Sequence, residues 1–210
     1  MRLPAAFLLC ASIAAAADVP PPAVDLPPPA VGKVATAVLA GGQFWGMEAV
    51  FEHLKGVIAV VAGYAGGKAE DAQEEKVVSR RTKHAEAVQI TYDPSQISYG
   101  KLLQVFFAVA HDPTQIEGQG PDVGPEYRSI IFYSTDGQKQ VAQAYVRQLE
   151  KAHVFHDAIA TQVSLLPGFF PAEEHHQRYA QRNPNNPYVV QNVRPKLKAL
   201  EQQFPELLKH

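Results

Sequence analysis

Glu86 stands between Ala85 and Ala87 in an alternating apolar stretch, Ala85 to Tyr92. A carboxyl held on such a strand loses hydration, which raises its pKa and suits it to proton donation near neutral pH. A strand-edge glutamate facing water is the plain alternative. Gln43 follows Gly41-Gly42 and opens a segment of helical period; its amide is neither acidic nor usefully nucleophilic. The phenols of Tyr64 and Tyr127 can each donate and accept a hydrogen bond, though each taken alone reads as structural. Phe44 and Trp45 offer adjacent apolar surface, and a lone aromatic pair is more often core. Asp122, after Pro121 and shortly before Gly124, equally fits a turn former. Among the 8 histidines, His153 and His156 lie three apart and His175-His176 are adjacent. Neither pair has a cysteine or carboxylate at a recognised ligand spacing, so packing or surface roles and no metal are expected.

These residues need elements to position them. An apolar run from Val34 to Leu39 leads through Gly41-Gly42 into a helix over Phe44 to Leu54, in which Phe44, Met47, Phe51 and Leu54 recur at helical spacing. Val57 to Tyr64 and Ala85 to Tyr92 read as strands that end in turn residues. Ser98 caps a helix over Tyr99 to Ala110, Arg128 to Tyr133 reads as a strand, and Gln138 to Lys151 as a helix. A strand over Ala158 to Leu165 and a short helix over Ala172 to Gln181 follow. Asn183-Pro184-Asn185-Asn186-Pro187 marks the end of the compact part, and Val193 to Leu208 forms a docking helix. Strands interleaved with helices predict an α/β layered domain, with a long irregular section between His111 and Tyr127.

At 210 residues and 46% hydrophobic content, the chain suits one folded domain. Its 19 basic and 21 acidic residues leave a formal charge of -2, so no global field draws it to nucleic acid or an anionic membrane. Met1-Arg2-Leu3-Pro4, an apolar stretch to Ala17 and small residues at its end read as a signal peptide over residues 1–17, which predicts export to the periplasm or beyond. The run falls short of the roughly 20 residues that span a bilayer. The only cysteine, Cys10, lies in this leader. Its removal leaves no thiol for a disulfide, a metal site or catalysis. Pro20-Pro21-Pro22 and Pro27-Pro28-Pro29 favour extended polyproline, so residues 18–33 read as a spacer.

Several separated motifs coincide in order: Gly41-Gly42-Gln43-Phe44-Trp45-Gly46, Gly63-Tyr64-Ala65-Gly66-Gly67, His84-Ala85-Glu86-Ala87-Val88 and His111-Asp112-Pro113-Thr114. Later come Gln119-Gly120-Pro121-Asp122-Val123-Gly124, Tyr127-Arg128-Ser129 and Pro171-Ala172-Glu173-Glu174-His175-His176-Gln177. The ordered set resembles the A-type methionine-S-sulfoxide reductases across about Val34 to Pro187. The resemblance implies a domain over residues 34–187 with an extension over 188–210. The expected fold is α/β (α+β), a two-layer sandwich of a mixed sheet with helices around a ferredoxin-like core with long irregular loops. It further implies a cysteine thiolate at position 43 that attacks the sulfoxide sulfur, with Glu86 as general acid. Phe44 and Trp45 then hold the substrate methyl, Tyr64 and Tyr127 the sulfoxide oxygen, and Asp122 helps position substrate and water. No cofactor is implied. The substrate would be methionine-S-sulfoxide in proteins or peptides, with a thioredoxin-like donor if the chain is active.

The departure that matters most is Gln43 itself, with no resolving cysteine downstream. The family's Ser-Gly-x-Thr-Gly is here Ser79-Arg80-Arg81-Thr82-Lys83, Glu74 stands for a family tyrosine, and Pro125-Glu126 for Thr-Gln. Loss of glycine at 80 and 83 is expected to remove access to positive φ. The expectation is a non-catalytic homologue that binds methionine sulfoxide. The alternatives are an active reductase, if position 43 is cysteine or a thiol comes from outside, and an interaction scaffold.

Overall fold

The computed structural model describes residues 18–27 and 32–209. The signal-peptide expectation therefore lies outside the described residues. Strand β1 (Ala35–Ala40) leads into helix α1 (Phe44–Glu52), strand β2 (Val57–Ala65), short helix α2 (Glu74–Val78), strand β3 (Ala85–Tyr92) and helix α3 (Tyr99–Val105). A two-strand ribbon of β4 (Gly118–Gln119) and β5 (Asp122–Val123) precedes β6 (Ile130–Tyr133), α4 (Asp136–Lys151), β7 (Gln162–Leu165) and β8 (Phe169–Pro171). Helices α5 (Tyr179–Arg182) and α6 (Arg194–Gln203) complete the chain.

The main sheet has the order β7-β6-β1-β3-β2-β8, with only β6 and β7 parallel among its pairs. Its inner four strands, β6-β1-β3-β2, with α1 and α3 as the two connections, give the expected ferredoxin-like core. The parallel pair is joined through α4, as a crossover must be. Alternation along β1 sends Ala37 and Leu39 into the large core under the helices, and Val38 and Ala40 into a smaller cluster on the other face. On β3 the same period puts Ala85 and Ala87 in the smaller cluster. Glu86 must therefore point to the helix side.

Several boundaries differ from expectation, each for a local reason. The helix over Tyr99 to Ala110 widens into a π turn over Phe106–Ala110. The buried His111 ring closes that turn, pairing its Nδ1 with the Phe106 carbonyl at 3.0 Å and its Nε2 with the Ser129 hydroxyl at 2.7 Å. Burial pushes its pKa down to about 3, so it stays neutral. The strand expected from Ala158 begins only at Gln162, because the Ala160 N–H is taken by the Pro113 carbonyl. The strand expected from Arg128 starts at Ile130, since the Arg128 side chain ties the carbonyls of Lys83, His84 and Pro125. The helix expected over Ala172 to Gln181 splits into a 3₁₀ turn at Glu174–His176 and α5, with Arg178 between them at φ +50°.

Two larger differences concern the ends. Residues 18–27 are no free spacer. Polyproline carbonyls have no donors within their own segment, and here helices supply them: Gln104 donates to Val19 O, Tyr145 to Pro20 O at 2.6 Å and Gln148 to Pro21 O. Asp25 accepts the Gly100 N–H, and Val19 is buried. Removing the Tyr145 hydroxyl by Tyr145→Phe is expected to cost about 1 kcal/mol in urea unfolding, whereas a detached segment would make the change neutral. Nor does the compact part end at Pro187. Val189, Val193, Leu200 and Phe204 are buried, and Leu208 bridges to Leu54. Among the described residues no helix is long and apolar enough to cross a membrane.

Candidate functional site

The turn from β1 into α1 fixes the centre of the site. Gly42 has φ +91°, and a Cβ there would stand 2.7 Å from Gln119 Cβ, so only glycine fits. Its N–H donates to the Tyr127 carbonyl at 3.1 Å, tying the turn to the β5–β6 connection. Gln43 then occupies the N-cap of α1, its side-chain oxygen accepting the Trp45 N–H at 2.6 Å. One residue on, the Phe44 N–H donates to Glu86 Oε2 at 3.0 Å. The first turn of the helix thus spends its free donors on these two side chains. Gln43 and Glu86 are brought to the same helix end.

Glu86 pairs in register with Tyr64 on β2, so the two side chains lie abreast on the helix side of the sheet. At 5% exposure the carboxyl is nearly dry. Burial is the main reason its pKa rises to about 8; the Phe44 N–H works against the rise, and the carboxylates of Asp122, Glu126 and Glu74 add to it. Near pH 7 the group holds its proton. The strand-edge alternative fails, and the carboxyl is one that could donate a proton near neutral pH.

The aromatic residues divide by depth. Phe44 and Tyr64 are almost wholly buried. The Tyr64 hydroxyl donates to Glu173 Oε2 at 2.9 Å, and burial with that carboxylate pushes its pKa up. Trp45 is half-buried, stacked on Tyr179 at 3.7 Å and met edge-on by Tyr188 at 5.7 Å. Its indole N–H donates to His176 Nδ1 at 3.3 Å. Tyr127 is half-buried, and burial together with Glu86, Asp122 and Glu126 disfavours its ionisation. Asp122 accepts a hydrogen bond from the Tyr188 hydroxyl, and burial raises its pKa against the opposing pull of Tyr188 and Lys196. The Lys196 ammonium donates to Ala110 O at 2.7 Å, and burial brings its pKa down to about 8.

The structure therefore gathers Gln43, Phe44, Trp45, Tyr64, Glu86, Asp122 and Tyr127 around one helix end, with Phe44 and Tyr64 forming its floor. Sequence reasoning missed Tyr188, Lys196 and Tyr179 as neighbours. The signal was present: Val189, Val193, Leu197, Leu200 and Phe204 recur at helical spacing, which marks a packed helix beyond Pro187. It also placed no carboxylate beside the histidine pair. The fold supplies one, Glu74 of α2, which lies against both His175 and His176.

The loop that departs from the motif pattern is built in rather than loose. Arg80 keeps φ at +62° although it is not glycine, a strain of roughly 1 kcal/mol or more. Its guanidinium bonds the Val123 carbonyl and lies 3.5 Å from the buried Glu126. The expectation that losing glycine here removes positive φ is corrected: side-chain partners hold the backbone in place.

A family model described as "Peptide methionine sulfoxide reductase" matches residues 35–208. A relative named peptide methionine sulfoxide reductase MsrA 2, from Mesorhizobium japonicum, is 52% identical over 172 residues, which is 82% of this chain and 88% of that protein. A protein of the same name from Synechocystis is 52% identical over 173 residues, covering 82% of this chain and 81% of its own. Among solved structures, reduced Mxr1 from Saccharomyces cerevisiae superposes with a TM-score of 0.67 at 32% identity, covering 74% of this chain and 89% of the other. Methionine sulfoxide reductase A of Corynebacterium diphtheriae gives 0.63 at 32% identity, covering 76% and 82%. With the sheet order, the glycine turn and the buried acid in place, the chain belongs to the peptide methionine sulfoxide reductase family of the A type.

Proposed function

We propose that this chain binds the S epimer of methionine sulfoxide, on exposed protein or peptide segments, at the N-terminus of α1. We propose further that Gln43 stands where the family's thiol nucleophile belongs, so the chain has no reduction step of its own. The observation that carries this is the pairing of a dry, protonated Glu86 with an amide, rather than a thiol, at the same helix end. A methyl sulfoxide has one apolar end and one strongly accepting oxygen. Trp45 on its Tyr179 shelf suits the methyl, while Glu86, Tyr127 and the amide hydrogens of Gln43 suit the oxygen. The paired departures Arg80 with Glu126 and Glu74 with the histidines support a maintained structure. A leader that directs export belongs to the same reading.

Titration of untagged protein with N-acetyl-methionine-S-sulfoxide methylamide, followed by line broadening of the ligand methyl resonance, is expected to saturate at millimolar concentration. Affinity should fall as pH rises past about 8, where Glu86 loses its proton. No saturation, or equal binding of the R epimer, ends the proposal.

A second reading, turnover by a thiol supplied from outside the chain, is favoured by the names of the relatives at 52% identity. A thioredoxin-like protein would be the donor in that case. It requires pure protein to convert the S epimer, and not the R epimer, with dithiothreitol. A rate equal to that of dithiothreitol alone dismisses it.

A further inference from the structure

Glu74, His175 and His176 form the one group of three among the described histidine and acidic residues that could hold a metal ion, their ligand atoms all within 4.8 Å of one another. We infer that these three side chains form a binding site for a divalent transition-metal ion of the zinc class, beside the sulfoxide-binding region and distinct from it. Metal–nitrogen and metal–oxygen bonds of about 2.0–2.1 Å set at tetrahedral angles place ligand atoms about 3.3 Å apart. Glu74 Oε2 lies 3.3 Å from His175 Nε2, and Glu74 Oε1 lies 3.3 Å from His176 Nε2. Each histidine thus stands at a ligand-to-ligand distance from one oxygen of the Glu74 carboxylate, His175 from Oε2 and His176 from Oε1. Two imidazoles with one carboxylate leave coordination positions for water, and this donor set suits Zn²⁺, Ni²⁺ and Cu²⁺ better than Mg²⁺ or Ca²⁺.

A second observation points the same way. His176 Nε2 is buried, and its polar neighbour, Glu74 Oε1 at 3.3 Å, makes no well-aligned hydrogen bond with it, a state in which buried polar atoms are seldom left. The surroundings hold the ligands in place. The Glu74 N–H donates to Glu173 Oε1 at 3.0 Å, and the His176 N–H donates to the Glu173 carbonyl at 2.9 Å. The Glu173 carboxylate adds negative charge without being a ligand, since the Glu74 N–H and the Tyr64 hydroxyl occupy its two oxygens. Entry is open: the side chains of His175 and Glu74 are 62% and 43% exposed.

Metal capture has a built-in consequence for Trp45. As the ring stands, His176 Nδ1 accepts the indole N–H, so the single imidazole proton sits on Nε2. A metal at Nε2 takes the place of that proton, which moves to Nδ1 through solvent, and the indole donor then loses its acceptor. Trp45 is the only tryptophan in the chain. Its emission therefore reports occupancy of the site.

Untagged full-length protein, titrated with ZnCl₂ against a chromogenic chelator, is expected to bind one Zn²⁺ with micromolar or tighter affinity, with a matching change in Trp45 emission. Co²⁺ in its place should give visible d–d absorption of intensity typical of four- or five-coordination. Glu74→Gln and His175→Ala alter half-exposed or exposed residues and should fold; each is expected to weaken binding at least tenfold and to remove the emission change. His156→Ala, on a distant exposed histidine, should change neither. Absence of stoichiometric Zn²⁺ binding overturns the site, as does unchanged affinity in both Glu74→Gln and His175→Ala.

Discussion

Gln43→Cys is expected to give the chain dithiothreitol-dependent turnover of methionine-S-sulfoxide, on the order of 10³-fold or more above the unaltered protein, whose rate should not exceed that of dithiothreitol alone. A cysteine at the N-cap of α1 has its thiolate favoured by the helix N-terminus and by the Trp45 N–H that the Gln43 side chain now occupies. The thiolate attacks sulfur to form a sulfur–sulfur bond, and the sulfoxide oxygen, protonated by Glu86 and by solvent, leaves as water. A second water then attacks the cysteine sulfur and breaks the sulfur–sulfur bond, which releases methionine, leaves a sulfenic acid on the introduced cysteine and returns a proton to Glu86. Two thiols of the reductant then return that cysteine to the thiol and release a disulfide and water. The acid is already placed, one hydrogen bond from the neighbouring peptide N–H. A folded Gln43→Cys protein with no S-epimer turnover would mean that the loop holding Arg80 and Lys83 has closed the site to substrate. The pair Gln43→Cys and Gln43→Cys/Glu86→Gln separates the roles, since the second should lose most of the gained rate at neutral pH and respond differently to alkali.

Glu86→Gln, made alone, should change how stability responds to pH by a few kcal/mol. A carboxyl whose pKa is about 8 in the fold and 4.5 when free keeps a proton in the native state that the unfolded chain releases. Native protein binds more protons throughout that interval, so its stability falls as pH rises from about 4.5 to about 8 and is level beyond. The full difference is on the order of 3 to 5 kcal/mol. Glutamine keeps an acceptor for the Phe44 N–H and a donor in place of the acid proton, yet cannot ionise. Urea midpoints of the two proteins should nearly coincide at pH 5 and separate by pH 9, with the variant the more stable. Glu48, raised to about 7 by burial, loses stability in both and cancels in the comparison. Parallel profiles would show that Glu86 is hydrated in solution.

Much of the site was legible because its parts lie within a few residues of strong local signals. The glycine pair, the helical period after it and the alternation around Glu86 fix which face each side chain takes, and the register of β2 with β3 then brings Tyr64 beside Glu86. What could not be read depends on long-range packing. Nothing local says that Tyr188 donates to Asp122, or that Glu74 arrives beside His175 and His176. The proline-rich segment misleads for a related reason: its composition excludes helix and sheet, but not a docked strand whose carbonyls other elements satisfy. Arg80 is the reverse case, since a rule about its backbone was overruled by the guanidinium at the far end of its side chain.

The sheet order has a bearing on when the site comes into being. β8 closes on β2, and α5 and Tyr188 settle against Trp45, only after loops of more than a hundred residues have been drawn shut. Contacts so distant along the chain form late, because the entropy of closing those loops must be met before they return any stability. A nascent or clipped chain ending before Tyr179 would carry Gln43, Glu86 and Tyr64 and still lack the shelf that steadies Trp45. The Gln43 end of α1, completed by contacts so distant along the chain, is a poor candidate for a folding nucleus. It behaves as a latch thrown last, so ligand occupancy should slow the unzipping of the C-terminal segment more than it speeds folding.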